Sequence, residues 1–90
     1  MADKDIFKVM FREKPSMMLV ELLRAEEDMY ASALAKRVDC TYSHVVKILQ
    51  HMNDAKLLEF EKRGRLKIIT LTDKGTSVAE NIAEARKTLT

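Results

Sequence analysis

The chain has 90 residues, 47% hydrophobic and 33% charged, a balance that supports one soluble domain with a modest core and excludes a disordered segment. The lone Cys40 excludes an internal disulfide, and one thiol with no ligand set beside it excludes a zinc site. No apolar run reaches membrane-spanning length, since Glu21 breaks the densest stretch, Met17–Leu23, and Met1–Asp5 lacks the apolar core of a signal peptide, so the expected location is cytoplasmic, with no membrane partner.

Ile6, Val9 and Met10 recur at helical spacing within residues 5–12, with Phe7 and Phe11 four apart beside them, and predict a short first helix, with a strand as the alternative. Pro15 is expected to open a second helix running to about Ala25, with Met18, Leu19, Leu22 and Leu23 inward. Its wide apolar face places it centrally in the core. Glu26-Glu27-Asp28 reads as an acidic turn, and Met29-Tyr30-Ala31 as a brief strand. Ser32 is the expected N-cap of a helix over Ala33–Val38, with Leu34, Ala35 and Val38 inward. Asp39-Cys40 makes a tight break. Thr41 then caps a helix to about Ala55, whose inner stripe is Val45, Ile48, Leu49 and Met52.

Beyond this the periodicity changes. Leu57–Lys62 and Arg65–Leu71 read as a β-hairpin with Arg63-Gly64 at its tip, although the apolar pairs Leu57-Leu58 and Ile68-Ile69 leave its register open. Thr72 caps a last helix on which Val78, Ile82, Ala85 and Leu89 form a narrow stripe suited to pairing with another helix. The expected organisation is mainly α with a small β-hairpin. A helix-turn-helix occupies about residues 32–55, a hairpin about 57–71 and a terminal helix about 73–88.

The formal net charge of +2 is too small to imply a nucleic-acid partner, but its distribution is uneven. Residues 1–35 carry five basic and seven acidic side chains, residues 36–67 eight and four, and residues 68–90 three of each. The positive excess therefore falls on the helix pair and the hairpin. From Cys40 to Asn53 there is no acidic residue at all, whereas a merely solvated helix face normally mixes signs. The outer face of that helix offers Tyr42, Ser43, His44 and Lys47 to base edges and nearby phosphates, and Thr41 sits at its N-terminus, a position suited to phosphate. Val46 faces either a thymine methyl or the hairpin. Lys62, Arg63, Arg65 and Lys67 crowd one hairpin tip, where they repel one another unless a polyanion compensates; charge that guards an edge strand is the alternative reading. Glu59 and Glu61 are expected to point away from DNA or to pair with Lys67. Lys36 and Arg37 read as generic surface charges.

The stretch Ala31–Gly75 resembles the winged helix-turn-helix regulators, especially the MarR-like group, with the ArsR-like group as the near alternative. The resemblance is carried by Leu34-Ala35-Lys36-Arg37-Val38, Thr41-Tyr42-Ser43-His44-Val45-Val46-Lys47, Leu49, Met52, Leu57-Leu58 and Leu71-Thr72-Asp73-Lys74-Gly75. It implies a three-helix core plus a two-stranded wing and a terminal helix. It also implies a DNA-binding transcription regulator that is often a homodimer. Val78, Ile82 and Leu89 on the last helix either form the dimer interface across a two-fold axis or fold back onto the domain core. The sequence departs from the MarR pattern at the wing tip, where Arg63-Gly64-Arg65 stands in place of Asp-x-Arg. Only about 15 residues follow Gly75, so a small-molecule effector is not expected. Cys40, His44 and His51 are too few for the metal set of an ArsR-like sensor. No phosphate loop, nucleophile elbow or cofactor motif is present, so no enzyme is expected. Two other readings of the same fold are a non-specific architectural DNA-binding protein and a protein–protein module.

Overall fold

The computed structural model describes the backbone of residues 2–90 and the side chains from Ile6 onward, so the signal-peptide reading of residues 1–5 lies largely outside the described residues. Seven elements follow in chain order: α1 Ala2–Met10, α2 Glu13–Arg24, α3 Ala31–Val38, α4 Tyr42–Asp54, β1 Leu58–Arg63, β2 Leu66–Leu71 and α5 Asp73–Leu89. The first segment is a helix rather than a strand. It buries Met10 and leaves Phe7 and Phe11 exposed, their rings stacked with centroids 5.9 Å apart. None of the helices among the described residues is long and apolar enough to cross a membrane.

Helix α2 begins two residues earlier than Pro15 suggested, at Glu13. Proline is tolerated there because the first four N–H groups of a helix have no intrahelical partner, so Pro15 at the third position forfeits no bond. The Ser16 hydroxyl donates to the Met10 carbonyl at 2.6 Å and fixes the corner between α1 and α2. Met18, Leu19 and Val20 are wholly buried, as the wide apolar face required, and α2 packs against α1, α3, α5 and β2.

The expected strand at 29–31 contracts to one bridge, in which the Ile69 N–H donates to the Met29 carbonyl at 2.8 Å. Tyr30 then acts as N-cap of α3 without a side-chain bond, and the expected cap, Ser32, lies exposed inside the first turn. The non-local bridge holds the chain extended up to Tyr30 and so decides where the helix begins. Asp39 ends α3 in the left-handed region, with the Cys40 N–H on the Ala35 carbonyl and the Asp39 N–H on the Lys36 carbonyl. This is the Schellman arrangement, in which Asp replaces the usual glycine. Thr41 caps α4 as expected, its Oγ1 accepting the His44 N–H at 3.3 Å. Helix α4 ends in a second Schellman turn with Lys56 at φ 64°.

Strands β1 and β2 pair antiparallel, with Arg63 opposite Leu66, so the turn is Gly64-Arg65, one residue later than Arg63-Gly64. Gly64 has φ +59°, and Arg65 is not among the positive-φ residues. A two-residue hairpin loop with positive φ only at its first residue is the type II′ pattern, which favours glycine there. The Thr72 side chain caps α5 by accepting the Gly75 N–H at 3.0 Å and donates to the Lys56 carbonyl at 2.6 Å. Leu34, Val45, Leu49, Met52 and Leu58 from α3, α4 and β1 join α2 in one core. The result is a winged helix-turn-helix: helices α2, α3 and α4, a two-stranded wing and a terminal helix.

Candidate nucleic-acid interface

Helix α4 turns Val45, Ile48, Leu49 and Met52 inward, so the 3.6-residue period leaves Tyr42, Ser43, His44, Lys47 and Gln50 exposed together. Tyr42 is 61% accessible. The Thr41 hydroxyl accepts the His44 N–H and, among the described residues, donates to nothing. On one flank Tyr42, Val46 and Gln50 line a cleft of about 290 Å³ with Tyr30–Ser32 and the wing residues Arg65, Leu66 and Lys67. Val46 is half-buried there, towards the wing. On the other flank His44, Lys47 and His51 line a hollow of about 280 Å³ with Arg12, Glu13 and Lys14, whose Nζ donates to the Val38 carbonyl at 2.6 Å. Arg12 comes from the acid-rich N-terminal third, and only the tertiary packing of α1 against α4 brings it beside this face. Nothing local in the sequence could have flagged it.

The wing register separates the expected cations. Alternation along the strands puts Leu58, Phe60 and Lys62 on one face of the hairpin with Leu71, Ile69 and Lys67 opposite them. Leu58 and Ile69 are buried on that face, and Lys62 and Lys67 stand directly opposite one another at its exposed end. Like charges so placed destabilise a hairpin. Arg65 lies in the turn.

Arg63 falls on the other face, with Glu61. Its Nη1 donates to Asp28 at 2.7 Å, and its Nε and Nη2 donate to the two Glu61 carboxylate oxygens at 3.2 Å each. The Glu61 hydrogen bonds first, and then the nearby charges of Asp28 and Glu61, hold the guanidinium even more firmly protonated than usual. Glu61 therefore pairs with Arg63 and not with Lys67, which lies on the opposite face. Lys47, Lys62, Arg65 and Lys67 make no ion pair among the described residues.

Among the described residues no charged or polar side chain is buried, and no group of His, Cys, Asp or Glu has the geometry to hold a metal ion. Away from α4, an apolar groove of about 560 Å³ runs between α1 and α5, lined by Ile6, Phe7, Met10, Phe11, Val78 and Ile82 among others. Val78 and Ile82 are half-buried against their own core, and Leu89 is 85% exposed.

The model of the HVO_A0114 family matches residues 13–78, from the start of α2 into α5. The chain belongs to the HVO_A0114 family. A relative is an uncharacterized protein of Archaeoglobus fulgidus, 36% identical over 78 residues, which cover 83% of this chain and 82% of the relative. Among solved structures, AF1382 from Archaeoglobus fulgidus superimposes with a TM-score of 0.83 at 33% identity, covering 91% of this chain and 93% of that one. The MepR–DNA complex of S. aureus superimposes with a TM-score of 0.76 at 20% identity, covering 98% of this chain and 74% of MepR. At that identity the likeness establishes the winged-helix fold. The HVO_A0114 match spans α3, α4 and the wing.

Proposed function

We propose that this HVO_A0114 protein binds double-stranded DNA as a transcription regulator of the MarR-like type and acts as a homodimer. The observation that carries this reading is the exposed face of α4, free of acid from Tyr42 to Asn53, flanked by wing cations without ion-pair partners among the described residues. Helix α4 enters the major groove, which is about 12 Å wide, with Tyr42, Ser43 and His44 at base edges and Lys47 on a phosphate or a guanine. Thr41 donates to a phosphate at the helix N-terminus. The wing lays Lys62, Arg65 and Lys67 along the backbone or into a minor groove. A strained Lys62–Lys67 pair is what a polyanion would relieve. The MepR structure with DNA supports the reading as a precedent on the same fold.

A single head of this size buries little surface and binds weakly at physiological salt, whereas two heads on half-sites about 34 Å apart bind usefully. The apolar α1–α5 groove and the exposed Phe7 and Phe11 support pairing along that side. There Val78 and Ile82 contribute from the groove and Leu89 from the same stripe further along α5. The reading needs no cofactor and no small-molecule effector.

Selection from a random duplex library at two salt concentrations tests the proposal. Enrichment of one inverted-repeat sequence at both concentrations is expected. Binding without enrichment would make the protein an architectural DNA binder, and no binding at low salt would leave a protein–protein module.

A further inference from the structure

We propose that Arg63 is a positioning residue, a splint that fixes the wing to the α2–α3 loop and does not itself contact DNA; the second half of this statement rests on the DNA-binding reading above. The residue stands at the end of β1, immediately before the Gly64-Arg65 turn. From there its side chain spans β2 to reach Asp28, next to Met29, whose carbonyl is already bonded to the Ile69 N–H of β2. The loop thus acts as a third strand, joined to the wing by one backbone bond and one guanidinium. Arg63 uses its fork fully: the Nε/Nη2 edge grips both oxygens of Glu61 on its own strand, and Nη1 takes Asp28 on the loop. A planar, bidentate grip of this kind fixes direction as well as distance.

The placement explains why an arginine at the wing tip points away from the reading face. Asp28 lies two residues before Tyr30, the N-cap of α3. The splint therefore ties the wing tip to the same piece of chain that starts the helix-turn-helix. Wing and α4 are held as one rigid surface, with Arg65 and Lys67 presented beside Tyr42. The side chains of Arg63, Asp28 and Glu61 are each more than half exposed, so the contacts add little to overall stability. Their effect is on orientation.

Four variants test this in the full chain: Arg63→Ala, Arg63→Lys, Asp28→Asn and, as a control for lost acidic charge, Glu27→Gln. Without DNA, backbone ¹⁵N relaxation at Gly64 and Arg65 is expected to show a more mobile wing in the first three variants. It should be unchanged in Glu27→Gln, with the Tm of all four close to the parent. On a fixed duplex, Arg63→Ala, Arg63→Lys and Asp28→Asn are each expected to weaken binding by a similar factor, about fivefold, with the salt slope unchanged. The proposal is overturned if Arg63→Ala lowers the slope by about one while Asp28→Asn tightens binding more than Glu27→Gln does, because Arg63 would then be a phosphate contact held in reserve. It is equally overturned if the wing stays rigid in all variants. If no form of the protein binds duplex while the wing mobilises as stated, the splint stands and the DNA reading fails.

Discussion

The backbone of Gly75 in α5 lies directly on the Leu57 carbonyl, so close that a Cβ at residue 75 would stand 1.7 Å from that oxygen. The same carbonyl accepts the Thr72 N–H at 3.1 Å, so the end of α4, the start of the wing and the cap of α5 meet at one point. Gly75→Ala must push α5 off this seat. We expect a loss of at least about 2 kcal/mol, the middle of the range for overpacking. Thermal unfolding should then fall by on the order of 10 °C. Gly64→Ala is the contrast: its Cβ meets nothing, and only the left-handed backbone is penalised, at about 1 kcal/mol. Equal Tm losses for the two variants would contradict the close approach.

Lys56 occupies a left-handed position at the end of α4 that glycine fills without strain. Relief of that strain is worth about 1–2 kcal/mol, against about 0.5–1 kcal/mol for the greater freedom of glycine in the unfolded chain. Lys56→Gly should therefore stabilise by roughly 0.5–1 kcal/mol. Urea unfolding would show a higher midpoint at constant slope; a lower midpoint would contradict the assignment.

Thr72 both accepts from Gly75 and donates to the Lys56 carbonyl, whereas Thr41 makes only the longer bond to the His44 N–H. Thr72→Ala should cost about 2 kcal/mol and Thr41→Ala nearer 1, read from the same urea titration.

If α1 and α5 form the dimer interface, Phe7→Ser combined with Ile82→Glu should shift sedimentation from dimer to monomer at micromolar concentration. The domain should stay folded by circular dichroism, since both positions lie at the edge of the core. An unchanged sedimentation coefficient would move the interface elsewhere.

Much of the head is legible in the sequence because its signals are local. Thr41 and Thr72 announce their helices by the cap chemistry of one side chain, and the inner stripe of α4 follows from spacing alone. The misplacements are non-local or depend on a single residue. The start of α3 is set by a bond between Met29 and Ile69, forty residues apart in the chain, which removes Ser32 from the capping position. The wing turn lies one residue beyond its expected place because Gly64 takes the first turn position and not the second. That shift changes the site: Arg63 ends β1 instead of lying in the turn, strand alternation sets it on the face opposite Lys62 and Lys67, and Arg65 takes the turn in its place. Arg12 escapes notice because its neighbours in space, His44 and Lys47, are on α4, far along the chain.

The DNA-contact assignments divide by what they should change. Lys47→Ala and Lys67→Ala should weaken binding to every duplex and lower the salt slope by about one each. Ser43→Ala and His44→Ala should instead alter sequence preference, by about 1–3 kcal/mol for each lost base contact. Competition between selected and scrambled duplexes separates the two classes.

The most direct single test is the affinity of the wild-type protein for a duplex, followed by fluorescence anisotropy between about 50 and 200 mM salt. With Lys47, Lys62, Arg65 and Lys67 each on a phosphate, the account predicts a log–log slope of about −3.5 for each reading head bound. A flat dependence, or no binding at the lowest salt, would contradict it.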